Sequence, residues 1–316
     1  MSTLLSMLTL TLIFSTPIII VALGGLFSER AGVVNIALEG LMMIGGFSAA
    51  TSIVFLEKTI PGLAPWIAIV IGMLVGGLVS LIHAYISVNL QGNQVISGTA
   101  INIFAIGITI YLSQVIFHQQ RTETFKKGFI KTTYNGLSDI PIIGDVFFTN
   151  IYPTVFIALA LVVVTWYVVY KTKFGLRLRA TGEHPHAADS MGINVYKIRY
   201  IGVILSGCLA GLGGGIMILT QDTQYTVMSI HGTGFIALAA LIFGKWKPVG
   251  VLGASLFFGF SQILSIYSNK FGILSKLPFE FFYALPYILT IIALVVFSGK
   301  AVGPKAAGEP YDKGKR

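Results

Sequence analysis

Charge is what this chain has least of. Asp, Glu, Lys and Arg make up 10% of its 316 residues, against 55% hydrophobic residues and a mean hydropathy of +0.84. A soluble domain carries roughly 25% charged residues, so a soluble fold of this length is excluded. Cysteine is nearly absent as well. The single copy, Cys208, rules out an intrachain disulfide, and its position in an apolar run predicts a packing role. Chemistry-bearing motifs are missing too: there is no Gly-x-x-x-x-Gly-Lys-Ser/Thr phosphate loop, no nucleophile elbow and no paired histidines with a third ligand. An enzyme is therefore not expected, nor a cofactor in this chain, and any nucleotide-driven step needs an ATPase on another chain. The formal charge of +9 does not imply nucleic acid. The basic residues fall in loops between apolar runs, where membrane topology accounts for them.

In place of charge the chain has long apolar runs. Leu4–Leu26, Gly32–Leu56, Leu63–Val88, Val95–Phe117, Ile151–Tyr170, Tyr200–Thr220, Val249–Tyr267 and Phe281–Phe297 approach or exceed the length of a membrane-crossing helix. Thr233–Phe243 is apolar but too short to cross alone, which predicts a broken or re-entrant segment. The expected fold is all-α: a polytopic integral membrane protein of about eight to ten helices, one transmembrane domain over residues 1–316. The first run is expected to be a span and not a cleavable leader, because Met1–Met7 holds no Lys or Arg. Pro17 inside it predicts a kink or break.

The stretch Lys171–Arg199 is polar and basic between two apolar runs. Placing it and the tail 300–316 in the cytoplasm, with loop 118–150 and the N-terminus outside, puts about twice as many Lys and Arg inside as outside. Within the stretch, Gly182-Glu183-His184-Pro185-His186-Ala187-Ala188-Asp189-Ser190-Met191-Gly192 predicts a short amphipathic helix, begun by Pro185 and stopped by Gly192. A short helix held by spans on both sides is a lever that a soluble partner could grip. Glu183, His184, His186 and Asp189 match no standard metal spacing, so no metal site is expected.

Other polar residues are few. Asn35 and Glu39 are four apart, and a helix begun near Gly32 would set them on one face with Glu39 about 10 Å along. An unpaired charge at depth costs about 2.5–3.5 kcal/mol or more, so Glu39 must meet a partner. It either lines a translocation path or ties two helices together. Asn102 lies well inside a span, whereas Asn89, Gln91, Asn93 and Gln94 suit a short inner loop and Gln221, Asp222 and Gln224 a helix end. His83 suits a satisfied packing histidine. Glycine is abundant, with 36 copies; the four-residue spacing of Gly72 with Gly76, and of Gly207, Gly211 and Gly215, predicts close intramolecular helix packing. Gly32–Gly46 and Gly232–Gly244 are weakly alike, as broken elements of an internal repeat would be.

Ala187-Ala188 followed by Gly192 resembles the Glu-Ala-Ala-x-x-x-Gly coupling loop of ABC-importer permeases, with His186 standing where the Glu would be. Ser28-Glu29-Arg30-Ala31-Gly32, Asn35-Ile36-Ala37-Leu38-Glu39-Gly40 and Gly232-Thr233-Gly234-Phe235-Ile236-Ala237 resemble the branch that imports simple sugars, branched-chain amino acids and nucleosides. From about Gly24 to Phe297 the chain is similar to the smaller permease of bacterial nucleoside importers. That resemblance implies a multi-pass protein of the bacterial cytoplasmic membrane and a heterodimer with a second, related permease. It also implies a cytoplasmic ATPase that binds ATP and Mg and an extracellular substrate-binding lipoprotein. Gly182–Gly192 would then be the coupling segment, and Asn35, Glu39 and Asn102 would border the path of a nucleoside. Alternatives are a sugar or branched-chain amino-acid permease, or a stand-alone secondary transporter coupled through Glu39 or Asp222.

Overall fold

The computed structural model describes residues 2–230, 232–267 and 303–314, with single residues at 284, 288, 291 and 292. The predicted span Phe281–Phe297 lies outside them but for those single positions. Seven of the described helices are long and apolar enough to cross a bilayer. They are α1 (Ser2–Arg30), α2 (Leu38–Leu56), α3 (Ala64–Ala84, continued by a π turn), α4 (Gln94–Phe117), α6 (Pro153–Lys171), α9 (Val195–Gln221) and α11 (Pro248–Tyr267). Between them lie the short helices α5 (Ile143–Phe147), α7 (Lys173–Glu183), α8 (Pro185–Ser190) and α10 (Thr233–Phe243).

Glycine sets the centre of the bundle, where α9 is pressed against α1, α2 and α3. A Cβ on Gly45 would lie 2.3 Å from Gly211 Cα, one on Gly211 would lie 2.3 Å from Gly72 O, and one on Gly76 would lie 2.5 Å from Gly207 O. Apolar side chains gain nothing by leaving lipid for one another, so intimate backbone contact is what holds such helices together. The glycine spacing predicted from sequence is therefore spent on intramolecular packing. His83 is fully buried and satisfied, its ring nitrogens 3.0 Å from Ser97 Oγ and 3.0 Å from Val34 O.

The helices alternate between two ends. At one, the amides of Lys126 and Lys127 donate to Glu57 Oε2 at 2.9 and 3.0 Å, and Phe125 N donates to Thr223 O. Thr9 Oγ1 donates to Asp145 O (3.3 Å), so α1 starts at this end. The other end, rich in Lys and Arg, gathers Arg30, α7, α8, Lys245–Lys247 and the segment 303–314.

Three expectations are corrected. Of the kink or break expected at Pro17, the break is absent, since α1 is continuous from Ser2 to Arg30; neighbouring helices enclose it, and a buried proline is tolerated there. Helix α2 begins at Leu38 and not near Gly32, so Asn35 does not share a helix face with Glu39. Gly32 adopts φ +92°, and side chains then satisfy the backbone that a helix would have paired. Ser28 Oγ donates to Val33 O (2.7 Å), Val34 N to Gln94 Oε1 (2.7 Å), and Ala37 N to Asn35 Oδ1 (3.1 Å). Finally, the basic stretch ends before Arg199, which is buried on α9; Asn194 caps that helix by accepting from Lys197 N at 2.9 Å.

Candidate functional site

Helix α10 has 11 residues, which at 1.5 Å each is about 16 Å, half of a bilayer core of about 30 Å. Its last turn lies at the basic end beside Arg30, so its first turn reaches the middle of the bundle. The chain enters that turn through Gly232, at φ +78°, a conformation suited to glycine. There the carboxylate of Glu39 accepts two backbone amides, Gly232 N to Oε1 at 2.8 Å and Gly234 N to Oε2 at 2.7 Å. Glu39 is 4% exposed and stands in the first turn of α2, so one negative charge faces the positive ends of two helices. Gly234 is required by this contact: a Cβ there would lie 2.6 Å from both Glu39 Cα and Glu39 N.

Asn102, reaching from α4, completes the start of α2. Its Oδ1 accepts from Gly40 N at 2.8 Å and its Nδ2 donates to Ile36 O at 3.0 Å. Asn35 turns elsewhere, donating to Ser206 Oγ of α9 at 2.8 Å. Glu39 and Asn102 thus border one cavity of about 360 Å³, together with Thr99, Ile103, Ile106 and Phe235, while Asn35 does not line it. Phe235 is 47% exposed. Its wall is mainly apolar, and the polar groups beside it, the Glu39 carboxylate, the Asn102 amide and the Thr99 hydroxyl, are held by backbone partners.

Gly182 and Glu183 close α7, His184 is the joint, and Pro185, His186, Ala187, Ala188, Asp189 and Ser190 form α8. Met191 and Gly192 make the turn that follows, with Gly192 at φ +78°. The predicted short helix is therefore present, preceded by a second one, α7, that sequence reasoning did not separate. Met191 is 82% exposed, while Ala188 is buried in a cluster with Val195 and Tyr311. Segment 303–314 straps this region. Ala306 N donates to Gly182 O (2.9 Å), Arg199 Nη1 to Glu309 O (3.0 Å), and Lys313 Nζ lies 3.9 Å from Asp189. The ring of Tyr311 lies 5.1 Å from that of His186 and 5.6 Å from that of Tyr196. His186, the departure from the expected Glu, is engaged by this strap. No sequence signal announced the strap, whereas the Gly232-Thr233-Gly234 run could have marked Glu39's partners.

Residues 7–294 match the family described as branched-chain amino acid transport system / permease component. The guanosine ABC transporter permease protein NupQ of Bacillus subtilis is 49% identical over 306 residues, covering 97% of this chain and 96% of the relative. The nucleoside ABC transporter permease protein NupC of Lactococcus lactis is 43% identical over 304 residues, with 96% of each chain covered. Similarity also extends to the guanosine ABC transporter permease protein NupP of Bacillus subtilis, at 26% over 295 residues, covering 91% of this chain and 80% of the relative.

Proposed function

This chain belongs to the branched-chain amino acid transport system / permease component family, and on that premise we propose that it is the membrane-spanning subunit of an ATP-driven nucleoside importer. The carrying observation is similarity over nearly the whole chain to two relatives named as guanosine and nucleoside permease proteins. Two guanosine permease proteins of one organism, NupQ and NupP, resemble this chain to different degrees. That supports a pair of related but distinct permeases, with a second chain beside this one. A separate cytoplasmic ATPase binds ATP and Mg and drives the pair, and an extracellular lipoprotein delivers the nucleoside.

The surface formed by α8 and Met191 suits a partner groove: it is short, held between α7 and α9, and carries an exposed apolar residue at its tip. The cavity beside Glu39 and Asn102 is the part of the pathway this chain contributes. Closure of the ATPase moves the coupling segment 182–192 and switches access to that cavity between the two membrane faces, a two-state change driven by unequal partner contact in each state.

The test is purification of the tagged chain in mild detergent with identification of every co-purifying protein. Recovery of an ATPase and a second permease is the expected result. A folded chain without partners contradicts it and favours a secondary transporter working through Glu39. The family's own description favours branched-chain amino acids as a second substrate class, and competition of nucleoside uptake by leucine separates the two.

A further inference from the structure

We propose that the half-length helix α10 carries movement of the coupling segment to the midplane carboxylate, with Arg30 as the positioning residue that joins the two. The proposal rests on the permease reading above and adds the route from the ATPase to the cavity.

The route is continuous. Arg30 Nη1 lies 3.8 Å from Glu183 Oε1, at the head of the coupling segment, and a Cβ on Gly182 would lie 2.3 Å from Arg30 O. The same guanidinium donates from Nε and Nη2 to Trp246 O at 3.2 and 3.0 Å. Trp246 closes the turn 244–246 that follows α10, and its amide donates back to Leu241 O at 3.2 Å. Its indole Nε1 donates to the buried carboxylate of Glu29, so its carbonyl and its indole N–H are both held by the last turn of α1. Lys245 and Trp246 are consecutive non-glycine residues at φ +52° and +51°. Such a conformation is strained and persists only where its surroundings fix it, here through Arg30 and Glu29.

From Trp246 the link runs through a rigid body. Helix α10 is a single hydrogen-bonded rod, and its far end presents Gly232 and Gly234 to Glu39. No slack loop intervenes on the α11 side. A Cβ on Gly244 would meet Val251 N at 2.4 Å, and one on Gly250 would meet Gly244 O at 2.3 Å. A displacement of Glu183 relative to α1 therefore either breaks the Arg30 contacts or moves Trp246 and the whole rod. Moving the rod withdraws two amides from Glu39 and frees the carboxylate to meet a substrate. Arginine is specified because its planar fork sets two donors on Trp246 O and a third nitrogen toward Glu183, a fixed geometry that a lysine's point charge on a flexible stem does not reproduce.

The experiment uses the complete transporter in vesicles, with Cys208→Ser and Ala239→Cys in this chain, so that a thiol reagent reports on the half-buried side of α10 away from the cavity lining. The parent is expected to import nucleoside and to change its labelling rate on addition of ATP. With Arg30→Lys, ATP hydrolysis stays within about twofold, uptake falls by about tenfold, and labelling no longer responds to ATP. Parent-like uptake and an intact labelling response in Arg30→Lys overturn the linkage. If that variant does not assemble, Trp246→Phe, which cuts only the indole bond to Glu29, is expected to lower uptake by about threefold with a weakened labelling response; no change in either overturns the proposal. A parent complex that neither hydrolyses ATP nor imports removes the permease reading itself, and the linkage with it.

Discussion

Glu39 is the carboxylate that the starts of α2 and α10 share at mid-depth, and its chemistry is specific to an anion. Each of its oxygens accepts a backbone amide from α10. Glu39→Gln keeps the shape but turns an NH2 toward one of those amides, leaving a buried donor unpaired at a cost of about 1–3 kcal/mol. We expect a lower Tm in detergent and a clear loss of nucleoside uptake; full uptake with lowered stability would assign Glu39 a purely structural tie. Gly234 and Gly253 make a matched pair. An added methyl at Gly234 runs into the Glu39 backbone, whereas nothing lies within 4 Å of one at Gly253. Gly234→Ala should destabilise by about 1–3 kcal/mol, while Gly253→Ala, inside α11, should be neutral or stabilising by up to about 1 kcal/mol. Thermal unfolding of both variants in one detergent checks this, and equal Tm values would contradict the close approach of α2 and α10.

Among the elements, α8 was legible from sequence because its start and stop are local. Pro185 fits a first helical turn and Gly192 supplies the positive φ that ends it. The start of α2 was not legible. It is deferred to Leu38 by side chains from other spans, Gln94 and Asn102 of α4 and Ser28 of α1. The strap 303–314 was equally hidden, since its contacts are mostly backbone groups without a motif. For α8 the informative substitution is at Met191, which is exposed and outside the packed face. Met191→Asp should leave Tm unchanged and abolish co-purification of the ATPase. Gly192→Pro replaces φ +78° with a ring locked near −65°, so it should distort the turn and uncouple ATP hydrolysis from uptake. Normal coupled transport by both variants would remove α8 as the docking element.

At the scale of the whole molecule, the membrane class and most spans follow from hydropathy, which is a local property of each run. What hydropathy cannot carry is the meeting of helices far apart in sequence. Glu39 and its amide partners at Gly232 and Gly234 are separated by 193 and 195 residues, and the predicted pairing of Asn35 with Glu39 gave way to that long-range contact. The resulting molecule has a cavity beside the Glu39 carboxylate at mid-depth and, at its basic end, the short helix α8, which we propose as the docking element. Uptake of a radiolabelled nucleoside by the purified complex in vesicles, with and without ATP, tests the central claim most directly. ATP-dependent accumulation, inhibited by unlabelled guanosine and not by leucine or glucose, is the predicted result. Uptake without ATP, or inhibition by leucine or glucose but not guanosine, would contradict it.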